Sequence, residues 1–338
     1  MISRRTVIQA ALAAPLVLRP GRAAAASPPV LRLGLLATGT ASWEVDSLPD
    51  RSDPGALGVR LEVMPLASPQ AGKIALLGGA VDAIVSDWLW AARSHAEEQP
   101  LHFLPYSSAL GALVVRSEAP IASLADLAGK RIGVAGGALD KSWLVVNALA
   151  KQQGIALDSA ATVVFAAPPL LSAQMADGAL DAVLTFWPYV VRLQAQGFRV
   201  LTSVEQCAQT LSGQTVTPSW LGYVVRQDWS RPNAPALRQF YEALLTARRR
   251  LRDDDAAWLG LEQQMAAESP AVAIGLRQGW RAGIPAPWGA AQQQACSQQF
   301  ALLRALGGEA VTGAVRALDP AMFAPLTLDG NSMAHWHG

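Results

Sequence analysis

The chain has 338 residues, two cysteines and a formal net charge of +1, and charged residues make up only 16% of it. The first 26 residues hold four arginines and no acid, so the remainder carries a net −3, a balance that argues against nucleic acid or an anionic membrane as partner. That remainder, about 310 residues, is enough to bury two cores, and two cysteines make no disulfide framework.

Residues 1–26 read as a secretory signal. Ser3-Arg4-Arg5 precedes an apolar run from Val7 to Leu18, and Ala23–Ala26 offers small residues for cleavage near Ala25-Ala26. The run is shorter than the about 20 residues a membrane span needs. Its arginine pair fits the twin-arginine route or an ordinary Sec signal. No cysteine follows the cleavage site, so no lipid anchor is expected.

Beyond the leader, the spacing predicts alternating strands and helices. Leu31–Leu36 is a strand that ends in the loop Thr38-Gly39-Thr40-Ala41-Ser42. Val59–Val63 is a second strand, and Ser68-Pro69 opens a helix that closes at Gly78-Gly79. Ala83–Val85 and Leu101–Leu104 are strands, with a helix capped by Asp87 between them. Arg131–Ala135, Thr162–Phe165, Ala182–Leu184 and Phe198–Ser203 are strands, separated by helices over 139–153, 168–175 and 187–195. This alternation predicts parallel sheets. Helices over 236–252, 255–267, 270–278 and 292–306 then return to the first lobe and cover its sheet, and the tail from Asp329 has no pattern.

Two stretches repeat at an offset of 99 residues. Gly79-Ala80-Val81-Asp82-Ala83 through Trp88 aligns with Gly178-Ala179-Leu180-Asp181-Ala182 through Trp187, and Arg32-Leu33-Gly34-Leu35 aligns with Arg131-Ile132-Gly133-Val134. That period exceeds the roughly 20–50 residues of a solenoid repeat and suits one small α/β lobe. Ser108 to Arg116 and Ser219 to Arg226 share Ser, Leu, Gly and a Val-Val-Arg ending, and are read as two strands crossing between lobes. The expected boundaries are 27–115 for the first part of lobe one, 116–220 for lobe two and 221–338 for the rest of lobe one. Cys207 and Cys296 then fall in different lobes and are expected to stay unpaired.

Ligands of open α/β sheets bind beyond the carboxyl ends of the strands. The candidate set is therefore Thr38, Thr40, Ser42 and Trp43 after the first strand of lobe one, with Gly137, Asp140, Lys141 and Trp143 as their counterparts in lobe two. Asp87 and Trp88 follow one third strand, Trp187 and Tyr189 the other, and Ser108 and Trp220 stand at the crossings. Tryptophan and tyrosine offer an apolar face and a polar tip to a small organic solute. The acidic, aromatic run Ser86-Asp87-Trp88-Leu89-Trp90 suits a cationic or heteroaromatic ligand, although Asp87 and Asp140 also read as helix caps. No nucleotide fingerprint, hydrolase elbow or cofactor motif is found, and His335 and His337 form only a weak metal pattern. Neither a catalytic set, a metal nor a cofactor is expected.

Ile121 to Gly137, Gly178–Ala182 with Trp187-Pro188, and Gly79–Ala83 resemble the nitrate/sulfonate/taurine and thiamine-precursor family of periplasmic solute-binding proteins of ABC importers. The resemblance spans about Leu31 to Arg226. It implies a two-lobed periplasmic-binding-protein fold of type II, with two similar α/β lobes joined by two crossing strands. It also implies a monomer in the periplasm that closes on a small-molecule solute and delivers it to a permease and ATPase. An accessory or sensor role for the same clamp, for example beside a periplasmic dehydrogenase system, is the alternative. The ligand's identity stays open.

Overall fold

The first strand, β1 (Val30–Leu36), lies inside a five-stranded sheet, and the repeated motif braces its start. Asp82 accepts the backbone N–H of Arg32 at 3.0 Å and its guanidinium at 2.6 Å, and Arg32 also donates to the carbonyl of Gly79 at 2.8 Å. The second lobe repeats this, with Asp181 accepting the Arg131 N–H at 2.8 Å and Arg131 donating to Gly178 at 2.9 Å. Gly79 and Gly178 turn with φ of 74° and 79°, and a Cβ on either would meet the guanidinium of Arg226 or Arg116 respectively. The 99-residue repeat is thus a brace at the start of each sheet, built twice. The computed structural model describes residues 27–96 and 100–326. The leader at 1–26, with its cleavage site, and the tail with His335 and His337 lie outside the described residues.

The other strands of the first sheet are β2 (Arg60–Leu66), β3 (Ala83–Asp87), β4 (Leu101–Ser107) and β10 (Leu221–Arg226), in the order β2-β1-β3-β10-β4. The second sheet holds β5 (Gly111–Arg116), β6 (Arg131–Ala135), β7 (Thr162–Ala166), β8 (Ala182–Phe186) and β9 (Phe198–Ser203), in the equivalent order β7-β6-β8-β5-β9. Both sheets are mixed rather than parallel. β5 runs antiparallel between β8 and β9, and β10 runs antiparallel between β3 and β4. Since β5 pairs wholly within the second sheet, the outward crossing falls before Gly111, not in the strand that ends at Arg116.

The helices that matter below are α1 (Ala41–Asp46), α2 (Pro69–Leu77), α3 (Trp88–Ala96), α4 (Lys141–Gln152), α5 (Pro168–Ala176), α6 (Trp187–Ala195) and α7 (Val204–Ser212). After β10 come α8 (Ala234–Asp253), α9 (Pro270–Ala282) and α10 (Ala290–Thr312), which bends at Gly308. Ser68 caps α2 by accepting the Ala71 N–H, and Ser203 caps α7 in a reciprocal box with Gln206. The expected helix over 255–267 is instead a 3-10 turn, Asp255–Leu261, and one short helical turn that ends with Ala266 in the left-handed region.

The C-terminal helices do not all return to lobe one. α8 buries Leu237, Phe240, Tyr241 and Leu244 against the first sheet. α9 packs against α6 of lobe two, while α10 packs against α4 and α7. Cys296, Phe300 and Leu303 of α10 join Trp143 and Cys207 of lobe two and Trp88 and Phe103 of lobe one in one continuous core. The two sheets are therefore tied from both sides by the chain's last third. The reason lies in α9 and α10, whose apolar faces are matched to helices of lobe two.

Candidate functional site

Two short turns start the site. Asp87 closes β3 and accepts the Trp90 N–H at 2.7 Å, which caps α3. Asp140 does the same for α4, accepting the Ser142 N–H at 2.9 Å. These caps fix Trp90 and Lys141 in the first turns of their helices. Lys141 is buried at 8% exposure; its Nζ is 3.6 Å from Asp140 and 5.3 Å above the Phe186 ring. From lobe one, Lys73 on α2 puts its Nζ 5.0 Å above the Trp90 ring. A cation over an aromatic face is held by the ring quadrupole.

The two lysines belong to one electrostatic environment. Burial lowers the Lys73 ammonium below the usual lysine range, Asp87 and Asp140 oppose the shift, and Lys141 and Arg93 add to it. Each lobe thus contributes one ammonium group backed by an aromatic ring, Lys73 over Trp90 and Lys141 over Phe186, and in each lobe an aspartate caps the neighbouring helix. The chain has only four lysines. That scarcity was the signal that could have picked out Lys73; Phe186 carried none.

A second aromatic cluster joins the two lobes. Trp43 of α1 meets Trp187 of α6 edge to face at 6.0 Å and Trp258 at 5.8 Å, and Trp258 meets Trp280 of α9 at 5.3 Å. The turn leading into α1 is held from below. Thr40 Oγ1 is 3.1 Å from the Tyr106 hydroxyl, and Ser42 Oγ donates to the Gly39 carbonyl at 2.6 Å. Burial drives the Tyr106 hydroxyl well above its ordinary pKa, so it remains a neutral hydrogen-bonding group.

The structure gathers some of the expected residues and disperses others. Asp87 and Asp140 cap the helices that carry Trp90 and Lys141, while Trp43 meets Trp187 across the lobes but is itself buried in a core with Trp258 and Trp280. Trp88 and Trp220 are fully buried and stack on each other at 4.9 Å, so they are core rather than wall. Neither indole N–H has a hydrogen-bond partner among the described residues. Trp143 is likewise core, edge-on to Phe165 at 6.2 Å. Thr38 is exposed at the loop tip. Tyr189 is half-buried beneath the Arg192 guanidinium, which lies 5.9 Å from its ring. The Ser108 N–H is spent on the Gly283 carbonyl at 2.8 Å, and the Gly137 carbonyl accepts the Asp140 N–H at 2.8 Å.

Comparison with known proteins agrees with this architecture. The family model described as NMT1/THI5 like matches residues 58–254, more than half of the chain. The structure resembles the alkanesulfonate-binding protein SsuA of Xanthomonas axonopodis pv. citri bound to MOPS. That likeness has a TM-score of 0.66 and 20% identity, and covers 85% of this chain and 98% of that one. It also resembles the periplasmic aliphatic sulphonate binding protein SsuA of Escherichia coli, with a TM-score of 0.63 and 19% identity over 83% of this chain and 94% of that one. The desulfurization enzyme DSZB shares the fold at a TM-score of 0.54 and 15% identity, over 88% of this chain and 99% of that one. A search of curated proteins found no significant match.

Proposed function

The chain belongs to the NMT1/THI5-like family, and we propose that it is the exported solute-binding component of an ABC importer, taking a small organic anion between its lobes. What supports this reading is that opposite lobes contribute Lys73 and Lys141, each held over an aromatic ring. Like charges that face each other across a cleft oppose its closure, and an anion between them removes the opposition. Closure is then driven by the solute's greater affinity for the closed state. The aromatic rings behind both ammonium groups hold them in place and give an organic tail an apolar surface.

The carboxylates support an anion over a cation. Asp87 and Asp140 each give an oxygen to a helix N–H, and Asp140 also faces Lys141, so their charge is largely committed. The fold neighbours named for sulfonate binding are consistent with the same chemistry. Delivery to a permease and ATPase follows from the family's importers, and a monomer is sufficient because both lobes come from one chain.

A thermal-shift comparison of MOPS, a short alkanesulfonate and nitrate, with choline as the cationic control, tests the reading. A solute at 100 times its Kd raises stability by about 2.7 kcal/mol. Stabilisation by an anion, lost in Lys141→Ala, is expected. Stabilisation by choline alone would sink it.

A further inference from the structure

Lobe two touches the C-terminal helices on two faces of very different character. On one face, α10 packs on α4 and α7 through fully buried Cys296, Phe300 and Cys207. On the other face, α6 packs on α9, where Val272, Leu276 and Trp280 of α9 are buried but Trp187 and Val191 of α6 are only half-buried against them. There α9 offers Gly275 and Gly279, one helical turn apart, to Val191 and Trp187 of α6, also one turn apart. A Cβ at Gly275 would fall 2.7 Å from a Val191 methyl, and one at Gly279 would fall 2.7 Å from the Trp187 ring. The bare backbone of α9 is therefore the seat for these two side chains.

Polar ties frame the seat. Arg192 donates to the carbonyls of Met265 and Ala266 at 2.9 and 3.3 Å and pairs with Glu268 at 2.9 Å, where Glu268 is 61% exposed. Such rim contacts are weak and separable, whereas the α10 face resembles a domain core. Trp187 also begins the turn after β8, at the edge of the candidate site.

We propose that α6 on α9 is a releasable latch and that α10 on α4 and α7 is the fixed pivot. Solute enters when Trp187 and Val191 lift from Gly279 and Gly275, while the core around Cys207 and Cys296 stays closed. This goes beyond the solute-binding reading, since it concerns which contact parts and holds whatever the solute is.

The test props and locks the same contact. Gly279→Leu stands a side chain where the Trp187 ring lies. Small-angle scattering is expected to show a larger radius of gyration than wild type, while Cys207 and Cys296 remain unreactive to a thiol reagent in native buffer. An unchanged radius in the folded variant overturns the proposal. So does an increase accompanied by reactive native cysteines, because the pivot has then failed. Should Gly279→Leu not fold, the double variant Val191→Cys with Gly275→Cys decides. Its Cβ separation of 3.9 Å suits a disulfide. Hydrogen exchange of α6 and α9 amides is expected to slow at least tenfold on oxidation relative to the reduced protein, and no slowing overturns the latch.

Discussion

Arg248 grips Glu44 through two bonds of 3.0 Å, with both side chains withdrawn from solvent, and so ties α8 to α1 directly beneath the turn that carries Thr40 and Trp43. The Tyr223 hydroxyl donates to Glu44 at 3.4 Å, and the Tyr241 hydroxyl donates to the Pro105 carbonyl at 2.6 Å. Glu44 holds the guanidinium protonated against its burial. Removing one partner strands the other charge, so Arg248→Ala should lose about 3–5 kcal/mol. Replacing both by apolar residues, as in Glu44→Leu with Arg248→Met, should lose much less. Urea unfolding of the three proteins checks this; equal losses for the single and double variants would contradict it.

The repeated brace allows a comparison inside one molecule. Asp82 is 4% exposed at its side chain and Asp181 is 36% exposed, yet each serves an arginine of the corresponding strand in its lobe, Arg32 of β1 and Arg131 of β6. Asp82→Asn should cost about 2 kcal/mol, as a charged hydrogen-bond acceptor lost from the interior does. Asp181→Asn should stay below about 1 kcal/mol, as for an exposed pair. Melting temperatures of the two variants, measured side by side, should differ in that order.

Lys73 sets a pH dependence. Its ammonium lies below the ordinary value of 10.5, chiefly through burial. The folded, solute-free protein therefore releases that proton more readily than the unfolded chain does. This penalty is largest below the lowered pKa, and stability should recover as pH rises from there toward 10.5. Anion affinity should move the other way and fall over the same window, because neutral Lys73 no longer attracts the solute. Lys73→Arg should abolish the fall. Urea unfolding of the solute-free protein and titrations with MOPS, both at stepped alkaline pH, read the two effects.

Cys207 and Cys296 are free and buried, and burial pushes both thiols up, Cys296 the further. A thiol reagent should find none in the native protein and two after denaturation without reductant. A count of zero after denaturation of a monomer would reveal a bridge.

The repeat was readable because both lobes build their brace from the same residue types at the same spacing, 50 positions between arginine and aspartate. An aspartate that receives a backbone N–H and a glycine that turns at positive φ leave the same trace wherever a lobe begins. Trp88 and Trp90 show where such reading stops. Both lie in the first turn of α3, and the first is core while the second faces Lys73, a distinction set by the opposing elements and not by spacing. Lys73 itself stands in an apolar helix, and its importance comes from Lys141, a residue in the other lobe. For the same reason α9 and α10 could be predicted as helices, but not assigned to the lobe they grip.

The placement of β10 also orders the events of folding. All five strands of the second sheet lie between Gly111 and Ser203, so that sheet closes from one continuous stretch. The first sheet waits for Leu221 to pair with Asp87, 134 residues earlier, before β4 can join β3 through β10. A nascent chain that ends before Leu221 would carry one finished sheet and another with a gap at its centre. Non-local pairings of this kind are slow, and an unfilled gap of strand edges invites foreign pairing. The second sheet thus has all its strands first, although its helical face still awaits α10, and the interval between the synthesis of β4 and the arrival of β10 should be the one in which the first sheet is most exposed.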